Sequence, residues 1–189
     1  MPSTHLEAVT TCLSWAPAVS TTSGNKKKKK KARESGEGVG GGDLIALGTA
    51  AGSLLVYSAT QGELVTVLKA EGLPSINSLV WTSSGSSIFA AGEEGKVAEF
   101  SVAKQKLASI FKASPDPIHC LALSPDDGTL VVAGLDIKLF ALPSRSLLKT
   151  FTGHATPVNC LSVFANRVFS CGQVVDKLSR SEFKPCNLI

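Results

Sequence analysis

Four stretches of this chain line up with one another: VTTCLSWAP from Val9, INSLVWTSS from Ile76, IHCLALSPD from Ile118 and VNCLSVFAN from Val158. Their registering residues, Cys12, Ser78, Cys120 and Cys160, stand 66, 42 and 40 positions apart. One Lys/Gly-rich stretch of about 24 residues interrupts the first interval, and removing it leaves about 42 there too, a single period throughout. A period of this length constrains the fold more than any other feature, because each unit must be one supersecondary element that buries its apolar face against the next copy.

The units carry a common internal order. Each opener is followed by a small-residue strand (LIALGTA, SIFAAG, TLVVAG), then by a strand with an aromatic near its end, and then by a closing strand (ELVTVLKA, KLASIFKA, SLLKTFTG). The aromatics are Tyr57, Phe100 and Phe140, spaced by 43 and 40. Gly, Asp and Ser in TSSGSS, SPDDGT and GEEGK supply turns that tolerate left-handed backbone. Four short strands per 40 to 45 residues is the spacing of a WD-type propeller blade. A two-sheet sandwich also uses many short strands, but nothing in it requires aromatics to recur in register. The reading is therefore an all-β chain: a partial WD-type β-propeller over residues 1–172, with about three complete four-stranded blades and part of a fourth. Residues 173–189 are expected to form a divergent, poorly folded tail, since SRSEFKPCNLI matches no blade strand. Propellers close with about four to eight blades, so this count reads as an incomplete form of a longer protein.

The blades depart from the commonest signature. The Trp-Asp dipeptide is absent from the third strands, which read Tyr57-Ser58, Phe100-Ser101 and Phe140-Ala141. One Gly-His pair exists, Gly153-His154 in FTGHATPV. A histidine at that place in a blade bonds a hydroxyl on the second strand and an acid in the following turn, so Ser170 and Asp176 are its expected partners. Tyr57, Phe100, Phe140, His154, Ser170 and Asp176 are thus read as structural blade residues.

Charge is local. The net charge of +4 equals that of residues 20–43 alone, where Lys26, Lys27, Lys28, Lys29, Lys30, Lys31 and Arg33 outnumber Glu34, Glu37 and Asp43. Consecutive lysines repel and the glycines of ESGEGVGGGD select no conformation, so 20–43 is expected to be a disordered insert within the first blade. Lengthening a surface loop costs only about 0.6 kcal/mol per doubling, which lets a β-domain accept it. The basic run suits a nuclear or nucleolar address, a phosphate contact, or a neutral solvated loop. Aromatics that would stack bases are not interleaved with it, so sequence-specific RNA reading is not expected.

Catalysis finds no assembled groups. His5, His119 and His154 are far apart, GVGGGD lacks the Lys-Ser/Thr ending of a phosphate loop, and Asp126-Asp127 reads as hairpin chemistry. The five cysteines form no CxxC pair. Cys12, Cys120 and Cys160 lie in apolar runs and read as reduced packing residues. The N-terminus has no secretory pattern, and the longest apolar stretch, 44–57, is broken and too short to span a bilayer. No cofactor, metal, membrane or small-molecule substrate is expected.

TCLSWAP followed by a Lys-rich insert, DLIALGTAAGSLLVYSATQGEL, LSPDDGTLVVAGLDIKLF and FTGHATPV closely resemble the WD repeat-containing protein 43 family, over roughly Thr4 to Gly172. The resemblance implies a non-catalytic nucleolar scaffold of the small-subunit processome, supporting pre-rRNA processing, ribosome biogenesis and RNA polymerase I transcription. It implies other processome WD-repeat proteins as partners, with pre-ribosomal RNA bound weakly or indirectly. A generic WD-repeat adaptor, such as a ubiquitin-ligase substrate receptor, and a truncated product without the family function are the competing expectations.

Overall fold

Where the sequence alternates β-branched and small residues between Gly, Asp and Ser turns, the chain forms short antiparallel strands. The computed structural model describes residues 9–18, 43–164 and 167–172, together with the backbone of 182–187. The first blade is β1 (Thr10–Trp15), β2 (Leu44–Thr49), β3 (Ser53–Ser58) and β4 (Glu63–Lys69). The second is β5 (Ser78–Trp81), β6 (Ser87–Ala91), β7 (Lys96–Ser101) and β8 (Lys106–Lys112). The third is β9 (Cys120–Leu123), β10 (Thr129–Ala133), β11 (Ile137–Ala141) and β12 (Ser146–Phe151). The fourth is β13 (Val158–Phe164), β14 (Arg167–Gly172) and β15 (Glu182–Asn187). In every blade the strands pair in sequence order. The first strands β1, β5, β9 and β13 lie side by side from blade to blade, which is propeller architecture.

Residues 19–42 fall between β1 and β2, and both flanks still pair, with Trp15 opposite Ile45 and the Ala16 N–H on the Leu44 carbonyl at 2.9 Å. The β15 strand lies in the stretch expected to match no blade strand. Its backbone runs along β14 with Pro185 opposite Phe169. A proline cannot donate to a ladder, which hides a strand from pattern reading but is compatible with an edge, and β15 is the outermost strand of its sheet among the described residues.

Three apolar cores fill the spaces between successive blades. The first packs Ala46, Leu54 and Val56 of one blade against Trp81, Ile88 and Phe100 of the next. The second joins Phe89, Ala91 and Val97 to Leu130, Val132 and Phe140. The third joins Ala122, Val131 and Leu139 to Val158 and Val168. Burying one such side chain contributes roughly 1.5–3 kcal/mol, so the joints supply the main stabilisation.

The joints repeat a backbone clasp. The N–H of Ile76 donates to Thr49 O at 3.1 Å, that of Ile118 to Gly92 O at 3.1 Å, and that of Val158 to Gly134 O at 2.8 Å. Each donor residue is fully buried. The clasp demands close approach: a Cβ on Gly92 would stand 1.8 Å from Ser75 O, and one on Gly134 2.3 Å from Pro117 O. The hairpins after the third strands repeat as well. The register shifts by one residue beside Tyr57, Phe100 and Phe140, and the turns that follow hold Gly62, Gln105 and Arg145 at φ 67°, 49° and 53°. A bulge followed by a left-handed residue matches the strand twist.

Candidate functional site

The register aromatics face the preceding blade. Phe100 is fully buried in the first core and Phe140 lies in the second, its ring edge-on to Phe111 at 5.6 Å. Tyr57, at the same place in the first blade, is half-buried and lines a groove with Leu13, Ile45, Leu47 and Ser58. That groove occupies the outward side of the first blade, where Leu13 and Trp15 are 58% and 55% exposed.

His154 sits in the loop ahead of β13, and its Nε2 lies 2.8 Å from Ser170 Oγ on β14. Ser170 is buried, so the imidazole provides the polar partner its hydroxyl requires. The corresponding second-strand positions of the other blades are Leu47, Ala90 and Val132, which pack without a partner. His154 also lies close to Gly172, where a Cβ would come 3.4 Å from Nδ1. The ring is half-buried against the fourth blade. Asp176, the other expected partner, lies outside the described residues. So do Lys26, Lys27, Lys28, Lys29, Lys30, Lys31 and Arg33.

Polar ties across the second joint were not visible in the sequence. Asp127, held at φ 55° in the SPDDG turn, accepts from the Ser83 backbone N–H at 2.8 Å and from its hydroxyl at 2.6 Å. Arg145 pairs with Glu99 at 3.2 Å and lies over the Phe111 ring. Asn77 Nδ2 donates to Ile118 O at 3.2 Å, and Ser78 Oγ accepts from the Leu121 N–H at 3.0 Å. Asp126, the other acid of that turn, has its pKa lowered by the Ser124 hydroxyl and then by the Gly128 N–H. The paired carboxylates therefore serve a hairpin and a blade joint. A turn residue whose side chain reaches another blade has no local signal beyond its tolerance of left-handed backbone.

Among the described residues, no three His, Cys, Asp or Glu side chains converge to hold a metal, and every buried side-chain nitrogen or oxygen has a hydrogen-bond partner. No described helix is long and apolar enough to cross a membrane.

Repeated four-stranded blades joined side by side define a WD-repeat β-propeller protein. Residues 41–126 match the family described as the anaphase-promoting complex subunit 4 WD40 domain, and residues 145–177 match the WD domain, G-beta repeat family. The crystal structure of RRP9 WD40 repeats superposes with a TM-score of 0.71 at 14% identity, over 88% of this chain and 46% of that one. The structure of U3-55K does so with a TM-score of 0.70, again at 14% identity and the same coverage. In sequence, the chain is 35% identical over 165 residues to human WD repeat-containing protein 43, covering 85% of this chain and 24% of that protein. It is 24% identical over 134 residues to the Caenorhabditis elegans periodic tryptophan protein 2 homolog, covering 68% of this chain and 14% of that protein. The chain belongs to the WD repeat-containing protein 43 family. It spans about a quarter of the length of the human relative.

Proposed function

We propose that this chain is a non-catalytic WD-repeat scaffold of the nucleolar small-subunit processome, acting in pre-rRNA processing, ribosome biogenesis and RNA polymerase I transcription. The observation that carries the reading is the 35% identity to human WD repeat-containing protein 43 across 85% of the chain, added to the motif resemblance in ALGTAAGSLLVYSATQGEL and FTGHATPV. Blades with satisfied interiors suit assembly better than chemistry. The partners on this reading are other processome WD-repeat proteins, with pre-ribosomal RNA contacted weakly or indirectly.

On this reading Lys26 to Lys31 and Arg33 act electrostatically, as a nucleolar address or a phosphate contact. Such contact is non-specific and weakens steeply with salt. His154, Ser170 and Asp176 hold the fourth blade, and the exposed loops and sheet edges do the binding.

The test compares a tagged form with one carrying Lys26 to Lys31 changed to Ser, scoring nucleolar signal and recovery of precursor rRNA. Both are expected to fall together in the Ser form. Diffuse distribution of both forms with no rRNA recovered would overturn the proposal. The match of residues 41–126 to the anaphase-promoting complex subunit 4 WD40 domain supports a second reading, an adaptor in another large assembly. That reading predicts co-purification with a ubiquitin-ligase scaffold and no change in rRNA processing on depletion.

A further inference from the structure

The repeat places one residue of each inner strand at the same point in its blade, and the fourth blade breaks the pattern. In the first three blades that residue faces a small partner across the ladder: Cys12 faces Gly48, Ser78 faces Ala91 and Cys120 faces Ala133. It is then covered by the next blade's backbone. Cys12 Sγ lies 3.9 Å from Ile76 O, Ser78 Oγ accepts from the Leu121 N–H, and Cys120 Sγ lies 3.8 Å from Val158 O. In the fourth blade Cys160 faces Cys171 instead, and Cys160 is exposed.

The opposed position is within bonding reach. In the first blade, a Cβ built on Gly48 would stand 2.5 Å from Cys12 Sγ, and Cys171 is the residue opposed to Cys160 at the same register position of the fourth blade. Directly opposed residues of an antiparallel pair have Cα atoms about 4.5 to 5.5 Å apart, inside the roughly 4.4 to 6.8 Å that a disulfide spans. We infer that Cys160 and Cys171 form a reversible oxidative modification site, closing to a disulfide across β13 and β14 when a disulfide oxidant of the glutathione type reaches the exposed face. The Cys160 thiolate attacks one sulfur of the oxidant and expels one glutathione thiol. The Cys171 thiolate then attacks the Cys160 sulfur of the mixed disulfide and expels the second. Two electrons pass to the oxidant, and the two cysteine protons end on the two released thiols. Burial, followed by the Cys160 side chain, raises the pKa of Cys171, and Cys120 is pushed up to about 11 by burial and then by the other two thiols. Cys160 is exposed and Cys171 half-buried, which makes Cys160 the entry point and Cys171 the resolving thiol.

The purified chain is treated with glutathione disulfide, free thiols are alkylated, and the product is digested with trypsin, whose cut after Arg167 separates the two cysteines. The expected product is a Cys160 peptide joined to a Cys171 peptide within one chain. It is reversed by dithiothreitol, retained in Cys120→Ser, and at least ten-fold more abundant than any Cys120 cross-link. Glutathione left on Cys160 with Cys171 alkylated, a Cys160–Cys120 bond, or a bond between two chains would each overturn the inference. Should Cys171→Ser fail to fold, Cys160→Ser at the exposed position provides the negative control, and a cross-link to the Cys171 peptide in that variant would also count against the site.

Discussion

At the joint between the second and third blades, Ile118 is fully buried, its N–H clasps Gly92, and side chains from Asp127 and Arg145 reach back to Ser83 and Glu99. On the outward face of the fourth blade, built from the same repeat, Phe164 is 74% exposed and Cys160 is exposed too. The local sequences are alike, IHCLALS against VNCLSVF. The comparison teaches that a blade strand gains its stability from the neighbour that covers it more than from its own β-propensity, as mutational scales for strands also indicate. It also separates two cysteines at one repeat position: Cys120 lies against the next blade's backbone, and Cys160 is exposed.

The sharpest way to break this comparison is a pair of truncations. Ile118→Ala should cost about 3 kcal/mol through the cavity and the weakened clasp, whereas Phe164→Ala should change stability by less than about 0.5 kcal/mol. Equal losses in chemical denaturation would mean that covering is not what distinguishes the two sites. Next comes Asp127. Replacing it by Gly removes the bonds to Ser83 and should cost about 1 kcal/mol, while Asp127→Ala should cost roughly 1 kcal/mol more because alanine resists the left-handed backbone held there. If both variants lose the same amount, the turn contributes only its hydrogen bonds.

A smaller effect is expected at Gln105, which occupies the left-handed place taken by Gly62 in the first blade. Gln105→Gly should stabilise by about 0.5 kcal/mol, the relief of backbone strain less the added freedom of the unfolded chain. A lower melting temperature would contradict it. The smallest effect concerns pH. The folded Asp126 carboxyl has a depressed pKa, so its contribution is complete above the unfolded value and disappears as pH falls through the folded one. Asp126→Asn should therefore flatten the acid limb of a stability–pH curve and leave neutral pH nearly unchanged.

Much of this fold was legible because the repeat is written in strand positions. Ile76, Ile118 and Val158 recur two residues before the register positions Ser78, Cys120 and Cys160, and each is the buried donor of a blade clasp. The place of Tyr57, Phe100 and Phe140 follows from the same register. His154 and Ser170 could be matched because one loop and one adjacent strand bring them together. Three things stayed hidden for physical reasons. The Asp127–Ser83 and Arg145–Glu99 ties span 44 and 46 residues, and they depend on the angle between blades, which no sequence pattern encodes. The β15 strand is disguised by Pro185. The Cys160–Cys171 pairing depends on a one-residue register shift after Val158, which spacing alone cannot place.

The clasp runs in one direction: each blade offers a carbonyl forward and receives a donor from the next. Such head-to-tail contacts make the stack quasi-one-dimensional, with stability summed over neighbours. Amide exchange should therefore fall along a gradient, slowest in β6, β7 and β10, whose blades are covered on both sides, and faster in β1 and β13. Loss of one joint would divide the chain into two separately melting segments, so a lesion near Ile118 should appear as a split transition, and one near Phe164 as fraying from an end.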